Sequence, residues 1–158
     1  MADIKIIQAK TGADIKHVRD IFLEYLGFVE RYLGQDLSFQ GTEKEFADFP
    51  QTYDALFLAK LGGEPVAACG LKPFKAGICE LKRLYCRPVA RGQHLGLKLC
   101  QVTVKAAKSI GYEKIYLDTD HGLIHANKIY EQLGFQDIEK YYDNPMESRF
   151  MALDLSVS

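Results

Sequence analysis

Apolar positions along this chain follow two periods, and each change of period marks a new element. Ile4 to Gln8 reads as a short first strand. Ile15, Val18, Ile21, Phe22 and Tyr25 then recur at intervals of three and four, which predicts an amphipathic helix with Thr11 or Asp14 at its N-cap. Phe28 to Leu33 reads as a second helical piece. Gln35 to Gln51 is polar, carries Gly41 and Pro50, and predicts a loop with one helical turn. Ala55 to Lys60 and Pro65 to Leu71 read as strands joined by a hairpin at Leu61-Gly62-Gly63-Glu64. Phe74 to Gly77 turns the chain into a further strand, Ile78 to Cys86.

The period then lengthens again. Leu95 to Ile110 predicts a long helix with Leu95, Leu99, Val102, Ala106 and Ile110 buried, closed by Gly111 as a C-cap. Lys114 to Asp118 is strand-like and follows a helical crossover, so it lies parallel to a strand already in the sheet. Asp120 is expected to cap a helix from Leu123 to Leu133, which Gly134 ends. Phe135 to Lys140 and Phe150 to Leu155 close the chain as strands joined around Asp143-Asn144-Pro145. The expected fold is one mixed α/β (α+β) domain over residues 1–158. Its central sheet of about six to seven strands is mostly antiparallel and flanked by helices.

Composition narrows the function. The length of 158 residues suits one domain, and 47% hydrophobic residues supply one core. A net charge of −1 argues against general nucleic-acid affinity. Cys69, Cys79, Cys86 and Cys100 lie in apolar surroundings without a C-x-x-C pair, which reads as free thiols in a reducing compartment. With no apolar run of about 18 residues, no membrane span is expected, and a cytoplasmic location follows. Charge is uneven. Glu24 to Asp54 is acidic and Ala55 to Lys114 is basic. That suggests a basic half for a phosphorylated cofactor and an acidic lip for a cationic substrate.

Between the strand at Ile78–Cys86 and the helix at Leu95 lies the turn Arg87-Pro88-Val89-Ala90-Arg91-Gly92-Gln93. A strand that turns directly into a helix leaves N–H groups unpaired at the positive end of the helix dipole, a site for an anion such as phosphate. Arg91-Gly92-Gln93-His94-Leu95-Gly96 resembles the R/Q-x-x-G-x-G/A element of the GNAT superfamily of N-acetyltransferases. Glu80 to Pro88 resembles that family's central strand. Ala126 to Phe135, with Tyr130, Gly134 and Phe135, resembles its A-x-x-x-Y-x-x-x-G-F helix end. The resemblance is closest from Glu80 to Phe135.

The resemblance implies transfer of the acetyl group of acetyl-CoA to a primary amine of a small molecule or peptide. It implies cofactor binding by Leu84, Tyr85 and Cys86 and by Arg91, Gly92, Gln93, His94, Leu95 and Gly96, with no metal. It also implies Glu80 as general base and Tyr130 as proton donor to coenzyme A. On a regular strand Glu80 shares a face with Lys82, Leu84 and Cys86, and Cys79, Leu81, Arg83 and Tyr85 take the other. His94 stands where the family usually has Gly, and Leu123 where many relatives have Asn; Asn127 is not given that role. His121 and His125 are four apart beside Asp118 and Asp120, but Gly122 replaces the Glu of H-E-x-x-H, so they read as substrate-region side chains. Tyr141, Tyr142, Asp143 and Asn144 read either as acceptor-pocket lining or as a plain aromatic turn. A non-catalytic acyl-CoA-binding module is the alternative function. The acceptor amine and the oligomeric state, a homodimer included, stay open.

Overall fold

A computed structural model describes residues 3–34, 42–143 and 148–156. Seven strands form one sheet in the order β1-β2-β3-β4-β5-β7-β6. They are β1 (Ile4–Gln8), β2 (Ala55–Leu61), β3 (Glu64–Lys75), β4 (Ile78–Cys86), β5 (Lys114–Asp120), β6 (Gln136–Asp137) and β7 (Ser148–Asp154). All neighbours pair antiparallel except β4 and β5, which are parallel as the helical crossover requires. The helices are α1 (Gly12–Leu33), α2 (Thr42–Ala47), α3 (Leu95–Ile110) and α4 (Ile124–Gln132).

Alternation along β2 divides the core. Leu56 and Leu58 face α1, where Val18, Ile21 and Phe22 are fully buried. Ala55, Phe57 and Ala59 face the opposite layer, which holds α3 and α4. Thr11 caps α1, its hydroxyl accepting from the Asp14 N–H at 3.2 Å. The helix runs unbroken to Leu33, because no Gly or Pro signal strong enough to stop it occurs before Gly34, which ends it in the left-handed region. Phe28 to Leu33 is therefore the last third of one helix and not a second piece. Within the polar stretch, the expected helical turn is α2; residues 35–41 lie outside the described ones.

Four further expectations are corrected. In α3 the buried positions are Leu95, Leu99, Cys100, Thr103 and Ala107, while Ile110 is exposed. Thr103 enters the core because its hydroxyl donates back to the Leu99 carbonyl at 2.8 Å, leaving its methyl to pack. Asp120 does not cap α4. It ends β5 and accepts the Gly122 N–H at 2.7 Å, and Leu123 holds the N-cap without a side-chain bond. The strand expected at Phe135–Lys140 is only the two residues of β6. Of the turn at Asp143-Asn144-Pro145, only Asp143 is described.

The fourth correction bears on function. β4 does not alternate strictly. Arg83 has φ of 61°, and the β3–β4 register shifts there, so Arg83 and Leu84 together oppose one residue of β3. The bulge reverses the faces beyond it. Leu84 and Cys86 join Cys79 and Leu81 against the α3 layer, while Tyr85 packs with the α1 layer beside Glu80 and Lys82. β4 pairs with β5 only over Ile78–Glu80 against Lys114–Tyr116, yet β4 continues to Cys86 and β5 to Asp120. The two parallel strands part at Glu80, and the cleft opens there.

Candidate active site

The cleft begins at the turn that the sequence singles out. After a 3-10 turn at Pro88–Ala90 the chain passes Gly92, at φ of 88°, and His94, at φ of 58°, into α3. The first bond of that helix runs from the Lys98 N–H to the His94 carbonyl, leaving the N–H groups of Leu95, Gly96 and Leu97 without an intrahelical acceptor. Gly96 packs closely on α4: a Cβ there would lie 3.0 Å from Ile129 Cδ1, so that side-chain end would have to shift. His94 makes no side-chain cap bond. Its left-handed backbone gives a physical reason, beyond phosphate approach, for the family's Gly at this place.

A cavity of about 620 Å³ extends from this helix start. Leu84, Tyr85, Cys86, Arg91, Gly92, His94, Leu95 and Gly96 line it; of the expected cofactor residues Gln93 alone does not. The start of α4, from Gly122 through Ala126, forms a second wall. A third comes from α1 through Tyr25, Phe28 and Tyr32, which hydrophobic period alone assigns to helix and core. Their spacing was the available signal, because 25, 28 and 32 share one helix face. The Arg91 guanidinium lies over the rings of Phe28 and Tyr85, 6.0 and 5.9 Å from their centres, and its Nε donates to the Cys86 carbonyl at 3.3 Å.

Glu80 sits where β4 and β5 separate and is buried. Its carboxylate accepts a 2.7 Å bond from the Tyr141 hydroxyl. One residue on, the Tyr142 hydroxyl donates to Asp118 Oδ2, also at 2.7 Å, and Lys82 Nζ stands 3.9 Å from Asp118 Oδ1. The Tyr141 ring is wedged among Tyr116, Phe74 and Phe150, with centres 4.8 to 5.2 Å away. Burial, with the charges of Glu80 and Asp118, pushes the Tyr141 phenol well above its usual range, so it stays protonated and donates. These pairs were not visible in sequence, where Glu80 and Tyr141 are 61 residues apart.

Tyr130 comes from α4 in the opposite layer and is buried. Desolvation first, then the nearby Cys100, Tyr25, Cys69 and Asp118, raises its phenol well above the ordinary value of 10. It therefore keeps its proton at neutral pH. Asn127 is fully employed in structure: its Oδ1 accepts from Thr119 at 2.9 Å and its Nδ2 donates to the Asp120 carbonyl at 3.0 Å. Among the described residues no three His, Cys, Asp or Glu side chains gather in a metal-ligating group.

Three carboxylates of the acidic stretch are taken up by partners within the protein. Glu24 pairs with Arg87, Glu45 is buried against Arg83 at 2.8 Å and accepts from Tyr53 at 2.6 Å, and Asp54 accepts from Tyr112. Among the described residues, Glu80 and Asp118 bring negative charge to the place where β4 and β5 part.

Residues 16–135 match the family model described as "Acetyltransferase (GNAT) family". The chain belongs to the GNAT family. It is 32% identical to an uncharacterized N-acetyltransferase of Schizosaccharomyces pombe, over 98% of this chain and 97% of that one. Its fold matches the crystal structure of a GNAT-family acetyltransferase from Staphylococcus aureus with a TM-score of 0.77 at 19% identity, covering 97% and 99% of the two chains. It also matches yncA of Salmonella typhimurium, solved with acetyl-CoA, with a TM-score of 0.70 at 14% identity over 97% and 94% of the chains. As a GNAT protein the chain is an acetyl-CoA-dependent N-acetyltransferase. No helix among the described residues is long and apolar enough to cross a membrane.

Proposed function

We propose that a single domain spanning residues 1–158 acetylates a primary amine, with Glu80 as general base and Tyr130 as general acid. The observation that carries this reading is the buried Glu80 carboxylate, held by Tyr141 where β4 and β5 part. A module that only bound acyl-CoA would have no need of a buried acceptor of protons at that point.

The cradle fits the cofactor. Free N–H groups at the start of α3, the open backbone at Gly92 and the positive charge of Arg91 suit a pyrophosphate. Leu84, Tyr85 and Cys86 offer the parted edge of β4 to the rest of the molecule. Acetyl-CoA supplies the activated acetyl thioester. Glu80 takes the proton that an ammonium must lose before its nitrogen is nucleophilic, directly or through water. Tyr130, kept protonated by burial, donates a proton at the departing sulfur. Tyr141 orients Glu80, and Lys82 and Tyr142 fix Asp118 nearby. Four free cysteines, with Cys69 and Cys79 raised to about 12 by burial, support a reducing, cytoplasmic setting and leave these thiols inert. Calorimetry with acetyl-CoA, followed by an amine screen that reads release of free coenzyme A, tests the proposal. Binding without release for any primary amine would leave the binding-module reading in its place.

A further inference from the structure

The cavity wall contributed by α1 has no task in the chemistry above. Tyr25, Phe28 and Tyr32 recur at i, i+3 and i+7, so one helix face presents three aromatic rings to the cavity that begins at the cofactor cradle. The rings brace one another. Phe28 and Tyr32 are stacked at 5.3 Å with 14° between their planes, and Tyr25 and Phe28 both rest on Tyr85 at 5.8 Å. Tyr32 is 63% exposed, and so is Ile124 at the start of α4 across the same cavity. Apolar side chains left open on both sides of a cavity mark a surface completed by a ligand.

Charge decides what kind of ligand. Among the described residues none that lines the cavity is Asp or Glu, and Arg91 adds positive charge to it. The carboxylates of Glu24 and Glu45 are neutralised by Arg87 and Arg83. Among the described residues a polycation would find no counter-charge along this wall and would meet Arg91 at its end. At the inner end the stripe reaches Tyr25, which rests on Tyr85, and Tyr85 lies on the same face of β4 as Glu80.

We propose that the acceptor is a primary amine carried on an apolar, aromatic-sized body that packs between Tyr25, Phe28 and Tyr32 of α1 and Ile124 of α4. The inference rests on the amine-acetylation reading above and adds the substrate class to it. Specificity comes from ring burial at this wall, and reaction from the nitrogen delivered to Glu80.

The test compares phenethylamine, ethylamine and spermidine as acceptors for the full chain with acetyl-CoA. Phenethylamine is expected to show a kcat/KM about tenfold or more above the other two, a difference of about 1.4 kcal/mol. Phe28→Leu, which keeps an apolar side chain at a half-buried site, and Tyr32→Ser, at an exposed site, should both collapse the phenethylamine-to-ethylamine ratio through KM. Preference for spermidine, or a ratio unmoved by both substitutions, overturns the proposal. Saturation-transfer NMR on the coenzyme A-loaded protein separates the two readings. If no amine is acetylated but the phenethylamine ring contacts the protein and loses contact in Tyr32→Ser, the wall stands and the transfer reading falls. Absence of ring contact overturns the wall whatever the turnover.

Discussion

The two sides of the cleft are built in opposite ways. The cradle side is one unbroken run, from Leu84 through Gly96, and works mainly through backbone: a turn, two left-handed residues and the open end of α3. The proposed acceptor side is assembled from side chains that meet only after folding. Glu80 meets Tyr141, Asp118 meets Tyr142 and Arg83 meets Glu45, across separations of 61, 24 and 38 residues. A phosphate presents the same demand wherever it is bound, so a local backbone device suffices for it. An amine acceptor differs from one enzyme to another, and side chains from separate segments are free to vary with it.

The largest expected effect lies where the acceptor side does chemistry. Glu80→Gln should cut turnover by about 10²–10⁴-fold near neutral pH while leaving acetyl-CoA binding intact, with partial recovery at higher pH where more amine is already neutral. Tyr130→Phe should lose turnover in about the same range without a change in fold or cofactor binding. Because burial holds the Tyr130 phenol above 10, its loss should not move the pH profile below that value. Tyr141→Phe sharpens the contrast further. It removes the bond to Glu80 and should lower kcat more than it alters KM for acetyl-CoA. Pre-steady-state and steady-state rates check all three. An unchanged rate and pH profile in Glu80→Gln would remove Glu80 from the mechanism.

The next effect is on stability. Glu45 and Arg83 are both buried, and their pair ties α2 to the bulge of β4. Glu45→Ala removes the buried carboxylate that faces the Arg83 guanidinium and should cost about 3–5 kcal/mol of folding free energy. Desolvation acts to raise the Glu45 carboxyl, but the Arg83 charge and the bonds from Arg83 and Tyr53 outweigh it and leave it below its ordinary value of 4.5. A depressed folded value makes the contribution full above 4.5 and lost as pH falls through the folded one. Denaturant unfolding should therefore show the gap between the parent and Glu45→Gln narrowing in acid. A gap that widened there would mean the carboxyl is protonated in the native state.

On the cradle side effects should be smaller. Arg91→Glu should weaken acetyl-CoA binding by about tenfold, near 1.4 kcal/mol, with little effect on KM for the amine. The loss should shrink as salt is raised, because Arg91 is exposed and its field is screened. Calorimetry at two ionic strengths measures it, and a salt-independent loss would point to broken packing on Phe28 and Tyr85 instead.

What was legible in the sequence follows the same division. The limits of β1, β4 and α3 could be read from period and caps, and the cradle from Arg91, Gly92 and Gly96, because all depend on neighbours in the chain. The bulge at Arg83 could not. Nothing in Lys82-Arg83-Leu84 announces a left-handed arginine, and it is held by Glu45 from a distant helix. The acidic stretch makes a related point: composition counts charges but not the partners that neutralise them, as Arg87 does for Glu24 and Arg83 for Glu45.

The smallest effect tests the one place where the cradle departs from its family. His94 occupies the left-handed region at φ of 58°, makes no cap bond and faces the cavity. Replacing it with Gly removes a Cβ from a backbone that favours none and should stabilise the fold by about 1 kcal/mol. The same change lets backbone and phosphate approach more closely, so acetyl-CoA should bind slightly more tightly, and equally so at pH 6 and pH 8. Thermal unfolding and calorimetry at both pH values give the two readings separately. Looser binding, more marked at pH 6 where a histidine more readily carries charge, would show instead that the imidazole donates to the phosphate. The cradle would then rely on a side chain as well as its backbone, and the contrast between the two sides of the cleft would be one of degree.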